Sequence, residues 1–159
     1  MLKLKEIVKY AEKRKWLVRF EHDYTGGFEI HTDVFGPLSK MLVAVDGNKE
    51  LGYIRLGNFS RRFNSYTNDQ VWSIAEAYVK PAYRGYGVLR EMISLVVRDH
   101  NVKAMLIETA RYQAFKAYYT TLGFSSVFLI DDGELARVYL DSFTQIATAA
   151  NDDYFKKAA

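Results

Sequence analysis

The sequence predicts an α/β domain in which a mixed sheet carries helices on its faces, and three observations predict it. An apolar run over residues 72–79 passes through a glycine-bearing turn into an amphipathic stretch, so a strand feeds a helix directly. A second strand-to-helix step leads from Ile107-Glu108-Thr109 to a stretch that ends at Leu122-Gly123-Phe124. Paired β-rich runs with turn chemistry between them stand before and after these two units.

The elements follow in order. Leu4, Ile7, Val8 and Ala11 recur at helical spacing among Lys3, Lys5, Lys9, Lys13, Arg14 and Lys15, which predicts a helix over residues 2–15 with a solvated basic face. Residues 16–24 read as a strand and Thr25-Gly26-Gly27 as a turn. Met41-Leu42-Val43-Ala44-Val45 and Leu51-Gly52-Tyr53-Ile54-Arg55-Leu56 flank Asp46-Gly47-Asn48-Lys49 as a hairpin. The runs 126–130 and 135–140 repeat that device around Asp131-Asp132-Gly133-Glu134, and a final helix is expected over about residues 143–157.

The strand at 72–79 ends at Pro81, which has no ladder donor to offer. Beyond the turn, Leu89, Met92, Ile93, Val96 and Val97 form a helical stripe that leaves Arg90, Glu91, Ser94 and Arg98 outside. Between them lies Arg84-Gly85-Tyr86-Gly87-Val88-Leu89. Glycines let the backbone approach a bulky anion, the amides at the helix start converge on one spot, and the helix dipole favours negative charge there. A pyrophosphate fits such a turn. In the second unit, Ala114, Ala117, Tyr118 and Thr121 mark one helix face, which places Tyr118 in the core.

Composition bounds the possibilities. At 159 residues with 49% hydrophobic and 15% aromatic content, and with no repeat or Pro-rich linker, the chain forms one domain able to bury its own core. It has no cysteine, which excludes a thiolate nucleophile, a cysteine zinc site and intramolecular disulfides. The net charge of +3 is mild and suits a solvated helix face better than a nucleic-acid patch. No apolar run reaches membrane-spanning length and no signal segment opens the chain, so a cytoplasmic location is expected. His22, His31 and His100 lack ligand spacing, so no metal site is expected, and no Lys-Ser or Lys-Thr pair follows the glycine turn as a nucleoside-triphosphate site requires.

Over residues 72–124 the chain resembles the GNAT superfamily of acetyl-CoA-dependent N-acetyltransferases. Val79-x-Pro81-x-Tyr83-Arg84-Gly85-x-Gly87-Val88 resembles the coenzyme-A motif, and Tyr118-Tyr119-Thr120-Thr121-Leu122-Gly123-Phe124 resembles the helix that closes on Gly-Phe. The family pattern Gln/Arg-x-x-Gly-x-Gly/Ala is met at Arg84 and Gly87, while Leu89 stands where Gly or Ala is usual. Arg111-Tyr112-Gln113 stands where many members carry an Asn. The resemblance implies a single GNAT-like domain with a mostly antiparallel sheet, acetyl-CoA as cosubstrate, and cofactor contacts at Tyr78, Val79, Arg84, Gly85, Tyr86, Gly87, Val88, Leu89, Tyr112 and Phe115. The acceptor would be a primary amine of a protein, peptide or small molecule; a homodimer is a further expectation, and no membrane partner is.

Amine acetylation needs a neutral amine, donors for the developing oxyanion and a proton for the leaving thiolate. The resemblance assigns the oxyanion to a backbone amide near Tyr78 or Val79, where two strands splay. It gives the proton to Tyr119, a phenol that stays protonated at neutral pH, unless Tyr119 is a core ring. For the base, strand alternation puts Ser73, Ala75 and Ala77 on the face of Val79 and turns Glu76 away. Glu108, acting through water, is the first candidate and Glu76 the second, with a helix cap or a pair to Arg111 as the structural role open to Glu108. The rival to an enzyme is a GNAT-like domain that keeps the fold as a coenzyme-A-binding or regulatory module.

Overall fold

A computed structural model describes residues 1–23, 39–58, 71–100, 102 and 104–141. In chain order these form β1 (Leu2–Ile7), α1 (Tyr10–His22), β2 (Ser39–Asp46), β3 (Lys49–Asn58), β4 (Val71–Val79), α2 (Val88–Asp99), β5 (Ala104–Thr109), α3 (Tyr112–Thr121), β6 (Phe124–Ile130) and β7 (Leu135–Leu140). The strands make one sheet in the order β1-β2-β3-β4-β5-β7-β6. Every neighbouring pair is antiparallel except β4 with β5. The expected α/β class, both hairpins and both strand-to-helix units are present; the expected helix near residues 143–157 lies outside the described residues.

The first twenty-odd residues depart from expectation. Residues 2–7 form a strand rather than a helix, and residues 10–22, including most of the expected strand at 16–24, form α1. In Leu2-Lys3-Leu4-Lys5 the period of two competes with the helical period, and the free edge of β2 offers backbone partners that only a strand can use. Lysines suit that outer strand, because they discourage further edge pairing. Trp16 and Phe20, one helical turn apart, are the buried residues of α1 and set their rings on Tyr53 and Tyr78. Val8, expected in the buried stripe, is exposed.

Faces of the sheet follow from register. Tyr53 pairs with Tyr78 and Arg55 with Glu76, so these four side chains share the face covered by α1. Ala77 and Val79 turn to the opposite face, where α2 lies over β1 and β4 and α3 over β6 and β7. Arg90 ties those two helices by donating to the Thr121 carbonyl at 3.2 Å. A bulge interrupts β4 between Ile74 and Glu76, because Arg55 faces Glu76 while Leu56 faces Ile74. It inverts the alternation: Ser73, expected on the Val79 face, instead pairs with Gly57 and reaches its carbonyl.

In α3 the expected face is also displaced. Tyr119 is fully buried and Tyr118 is 39% exposed, while Ala114, Ala117 and Thr121 face outward. The inward stripe runs through Tyr112, Phe115, Tyr119 and Leu122. Non-helical backbone at Phe115, with φ −120° and ψ 15°, shifts the register of the face, and rings offer far more apolar area than alanines.

Glu76 is 1% exposed and held by three donors: Tyr53 Oη at 2.9 Å, Arg55 Nε at 2.8 Å and Arg55 Nη2 at 2.6 Å. Arg55 is itself buried and also donates to Ser39 Oγ at 3.2 Å. Such a pair contributes little over an apolar substitute, yet removing one half leaves an uncompensated buried charge. Arg55→Leu is therefore expected to lower unfolding free energy by about 3–5 kcal/mol, with Arg55→Leu/Glu76→Leu losing less than the single variant. Urea unfolding of the three proteins measures it.

Candidate active site

The parallel contact between β4 and β5 covers only Val71–Ser73 against Ala104–Leu106. Beyond it the strands diverge, while β4 stays paired to β3 as far as Val79 opposite Gly52. The Lys80 amide donates to the Leu51 carbonyl at 2.8 Å, toward β3. Alternation then points the Val79 N–H and C=O the other way, into the gap that β5 has left. Gly52 holds this point in place: a side chain there would run into the Tyr78 carbonyl and the Val79 Cα.

At the end of β4 the chain makes a 3₁₀ turn over Pro81–Tyr83 and reaches Gly85 and Gly87, with φ of +83° and +76°. Gly87 is the N-cap of α2, and the Glu91 amide is bonded back to the Gly87 carbonyl at 3.0 Å. The amides just before Glu91 have no earlier carbonyl within the helix to meet. A Cβ at Gly85 or at Gly87 would touch nothing within 4 Å. Here is a concave, anion-seeking turn with room in front of it.

Splay and turn open on one cleft of about 670 Å³. Of the residues that the motif pointed to, Tyr78, Val79, Arg84, Gly85, Gly87, Val88, Leu89 and Phe115 line it. Leu89 serves twice, since its side chain is also part of the α2 core stripe. The Tyr86 side chain is 82% exposed and does not line the cleft. Tyr112 lies behind the wall, stacked on Tyr119 with ring centroids 6.4 Å apart.

Tyr119 points its hydroxyl to Thr109 Oγ1 at 3.4 Å, at the end of β5 beside the divergence. Thr109 Oγ1 also accepts the Arg111 N–H at 2.9 Å, which pins the start of α3 to β5. Tyr118, expected in the core, instead lines the cleft. Burial pushes its phenol up to about 12, the neighbouring Tyr119 adding to the shift and Arg84 opposing it. It stays protonated over the whole physiological range.

The carboxylates are placed less simply. Glu108 accepts from Arg137 Nε at 2.9 Å, the arginine that faces it across the β5–β7 ladder. Thr109 faces α3, and alternation turns Glu108 to the sheet face that α1 covers further along. It does not line the cleft, and Glu76 lies sealed beneath α1. Among the described residues, the carboxylate that does line the cleft is Asp23, just past the end of α1, which accepts from Tyr78 Oη at 2.6 Å. Tyr78 and His22 bonds hold the Asp23 carboxyl below its ordinary value, and burial followed by Asp23 raises the Tyr78 phenol. Neither motif spacing nor periodicity pointed to Asp23, because a helix of residues 10–22 had first to be recognised.

Among the described residues no group of His, Asp and Glu could hold a metal ion. His22 is exposed beside Asp23, and His100 closes α2. No helix in these residues is long and apolar enough to cross a membrane.

Comparison with known proteins agrees with this fold. No curated protein matches the sequence. Solved structures with the same fold include Arabidopsis thaliana NAA60 in complex with acetyl-CoA, at 13% identity and TM-score 0.59 over 87% of this chain and 96% of that one. Mutant forms of the spermidine/spermine N-acetyltransferase SpeG from Vibrio cholerae align at 13% identity and TM-score 0.57, over 92% and 98% of the chains. An N-acetyltransferase from Staphylococcus aureus aligns at 12% identity and TM-score 0.56, over 88% and 96%. The model of the acetyltransferase (GNAT) domain matches residues 37–126, which hold the splayed strands and the glycine turn, and the chain belongs to the GNAT acetyltransferase family.

Proposed function

We propose that this protein transfers the acetyl group of acetyl-CoA to a primary amine of a peptide, protein or small molecule, by direct attack in a ternary complex. The observation that carries the proposal is one cleft lined both by the end of β4 that has parted from β5, Ala77, Tyr78 and Val79, and by Gly85 and Gly87 of the turn. An extended arm can enter the first while its diphosphate rests on the second. The residues fit such a cofactor: both glycines face open space, and Arg84 lines the same cleft. Acetyl-CoA supplies an activated thioester. The rest is the work of the chain.

The Val79 N–H points into the gap and serves as an oxyanion donor there, the role alternation denies to the Tyr78 amide. Amides from Gly85 to Leu89, with the α2 dipole behind them, hold the pyrophosphate. Tyr119 donates the proton the thiolate needs; its buried ring is clamped by Tyr112 and Phe115 so that the hydroxyl stays at the end of β5. Glu108 takes the amine's proton through water from the opposite face of the sheet. The engagement of Glu108 by Arg137 favours the second reading, a domain that binds coenzyme A without turning it over. Release of free thiol from acetyl-CoA, followed against a panel of amines and peptides, decides between the two.

Gly87→Asp places a side chain and a charge before the α2 amides, and acetyl-CoA affinity is expected to fall at least about tenfold. The left-handed backbone there adds a stability cost of about 1–2 kcal/mol. Tyr86→Ala, which alters a side chain outside the cleft, is expected to bind normally; calorimetry on both folded variants reads the difference.

Removing only the hydroxyl in Tyr119→Phe is expected to lower kcat roughly 10²-fold with the acetyl-CoA dissociation constant little changed. An intact kcat with a lowered Tm would make Tyr119 a core residue and nothing more.

Glu108→Gln is expected to reduce kcat/KM most at low pH, where the acceptor is mainly ammonium, and progressively less as pH approaches the acceptor pKa. Glu76→Gln, sealed beneath α1, is expected to leave the profile's shape unchanged. A pH–rate profile of both variants with one acceptor separates the two carboxylates, and a loss confined to Glu76→Gln would reverse the assignment.

A further inference from the structure

Arg84 stands between two partners at the end of β4. Its Nε donates to the Val79 carbonyl at 2.7 Å, its guanidinium carbon lies 5.4 Å from the Tyr78 ring centre, and its Nη2 is 4.0 Å from Asp23 Oδ2. The Asp23 carboxylate is thus one guanidinium away from the Val79 backbone. It accepts one hydrogen bond from Tyr78 and one from the exposed His22, and Arg84 is the strong cation nearest it in these contacts. Arg84 is also placed to answer a diphosphate seated on Gly85–Leu89, since it opens that turn, while Arg90 lines the cleft from α2 and is engaged by the Thr121 carbonyl.

These positions make the two demands on Arg84 exclusive. A guanidinium drawn toward the turn leaves the Val79 carbonyl and Asp23 together, and Asp23 then faces the cleft as an ionised carboxylate in want of a cation. The reacting amine must be neutral when it attacks at the Val79 amide. Asp23, bonded to the tip of the Tyr78 side chain, stands away from that backbone and serves a different nitrogen. The site therefore suits an acceptor with two amines joined by a short spacer of about a guanidinium's reach.

We propose that Asp23 is the acceptor-positioning residue of the cleft, holding the second, non-reacting ammonium of a short linear diamine in the place Arg84 leaves when the cofactor's diphosphate engages it. The inference rests on the proposed cofactor site and deepens it. It makes binding ordered: cofactor first, diamine second. By linkage the diamine tightens the cofactor by the same factor. Among the described residues, the strong charges besides Asp23 that act on Tyr78 are the cations Arg84 and Arg19, so replacing the carboxylate is expected to leave a field that repels the probe.

The test uses the full chain saturated with free coenzyme A, which has no acetyl group to transfer, and calorimetric titration with 1,4-diaminobutane or with the monoamine 1-aminobutane. The wild-type complex is expected to bind the diamine at least about tenfold more tightly than the monoamine, and more tightly than the protein without coenzyme A. Asp23→Asn keeps an oxygen for Tyr78 and is expected to abolish that preference while changing coenzyme-A affinity less than twofold. Arg84→Gln is expected to raise diamine affinity in the absence of coenzyme A, which tests the exchange even if Asp23→Asn folds poorly. Equal binding of the two amines, an unchanged preference in Asp23→Asn, or a loss of coenzyme-A affinity matching the loss of diamine affinity would overturn the proposal. Thiol release from acetyl-CoA by the wild type is scored separately: diamine binding that depends on Asp23 without release would refute the transferase and keep the binding site, while release without diamine preference would do the reverse.

Discussion

The arrangement of this molecule depends on one strand that is paired on one edge and abandoned on the other. β4 keeps its ladder with β3 along its length, anchored at the end by the close approach of Gly52 to Tyr78 and Val79. It loses β5 after Ser73. Backbone groups cannot stay unpaired in a closed interior, so the divergent edge has to face a cleft or a ligand. In this structure the Val79 carbonyl is met by Arg84, a side chain from the very turn that forms the anion site. The two halves of the cleft are thereby linked through a single residue.

The rigidity behind that edge comes from the α1 face. Glu76, Arg55 and Tyr53 form a buried network, and Trp16, Phe20 and Tyr78 pack over it. A bulge between Ile74 and Glu76 twists β4 just after it leaves β5, and it puts Glu76 beneath α1. The residue that looks most like a base on this strand is for that reason structural, its charge stabilised by neighbours that also fix the bulge. Tyr53 shows the same coupling from the other side, its phenol pushed up by burial and by Glu76.

On the opposite face, function is set by which tyrosine turns inward. Adjacent Tyr118 and Tyr119 differ by about a hundred degrees around α3, so one lines the cleft and the other reaches β5. The kink at Phe115 decides the assignment. Only Tyr119 is held against the strand end where β4 and β5 part.

By itself the sequence determined whatever depends on local spacing and on residues a few positions apart. The strand, glycine turn and helix of residues 71–99, the hairpin around Gly47 and the Gly-Phe close of α3 were legible because turn chemistry and periodicity are short-range properties. The tertiary structure decided what depends on partners distant in the chain. Residues 2–7 became a strand because β2 needed one, Trp16 and Phe20 became a helix face because Tyr53 and Tyr78 were there to receive them, and Glu108 met Arg137 through a register that spacing does not encode. Asp23 entered the cleft only because α1 carried it over Tyr78, from a position fifty-five residues away in sequence. Local propensity amounts to fractions of a kilocalorie per residue, and burial of one large ring exceeds it, so where the two disagreed the packing prevailed.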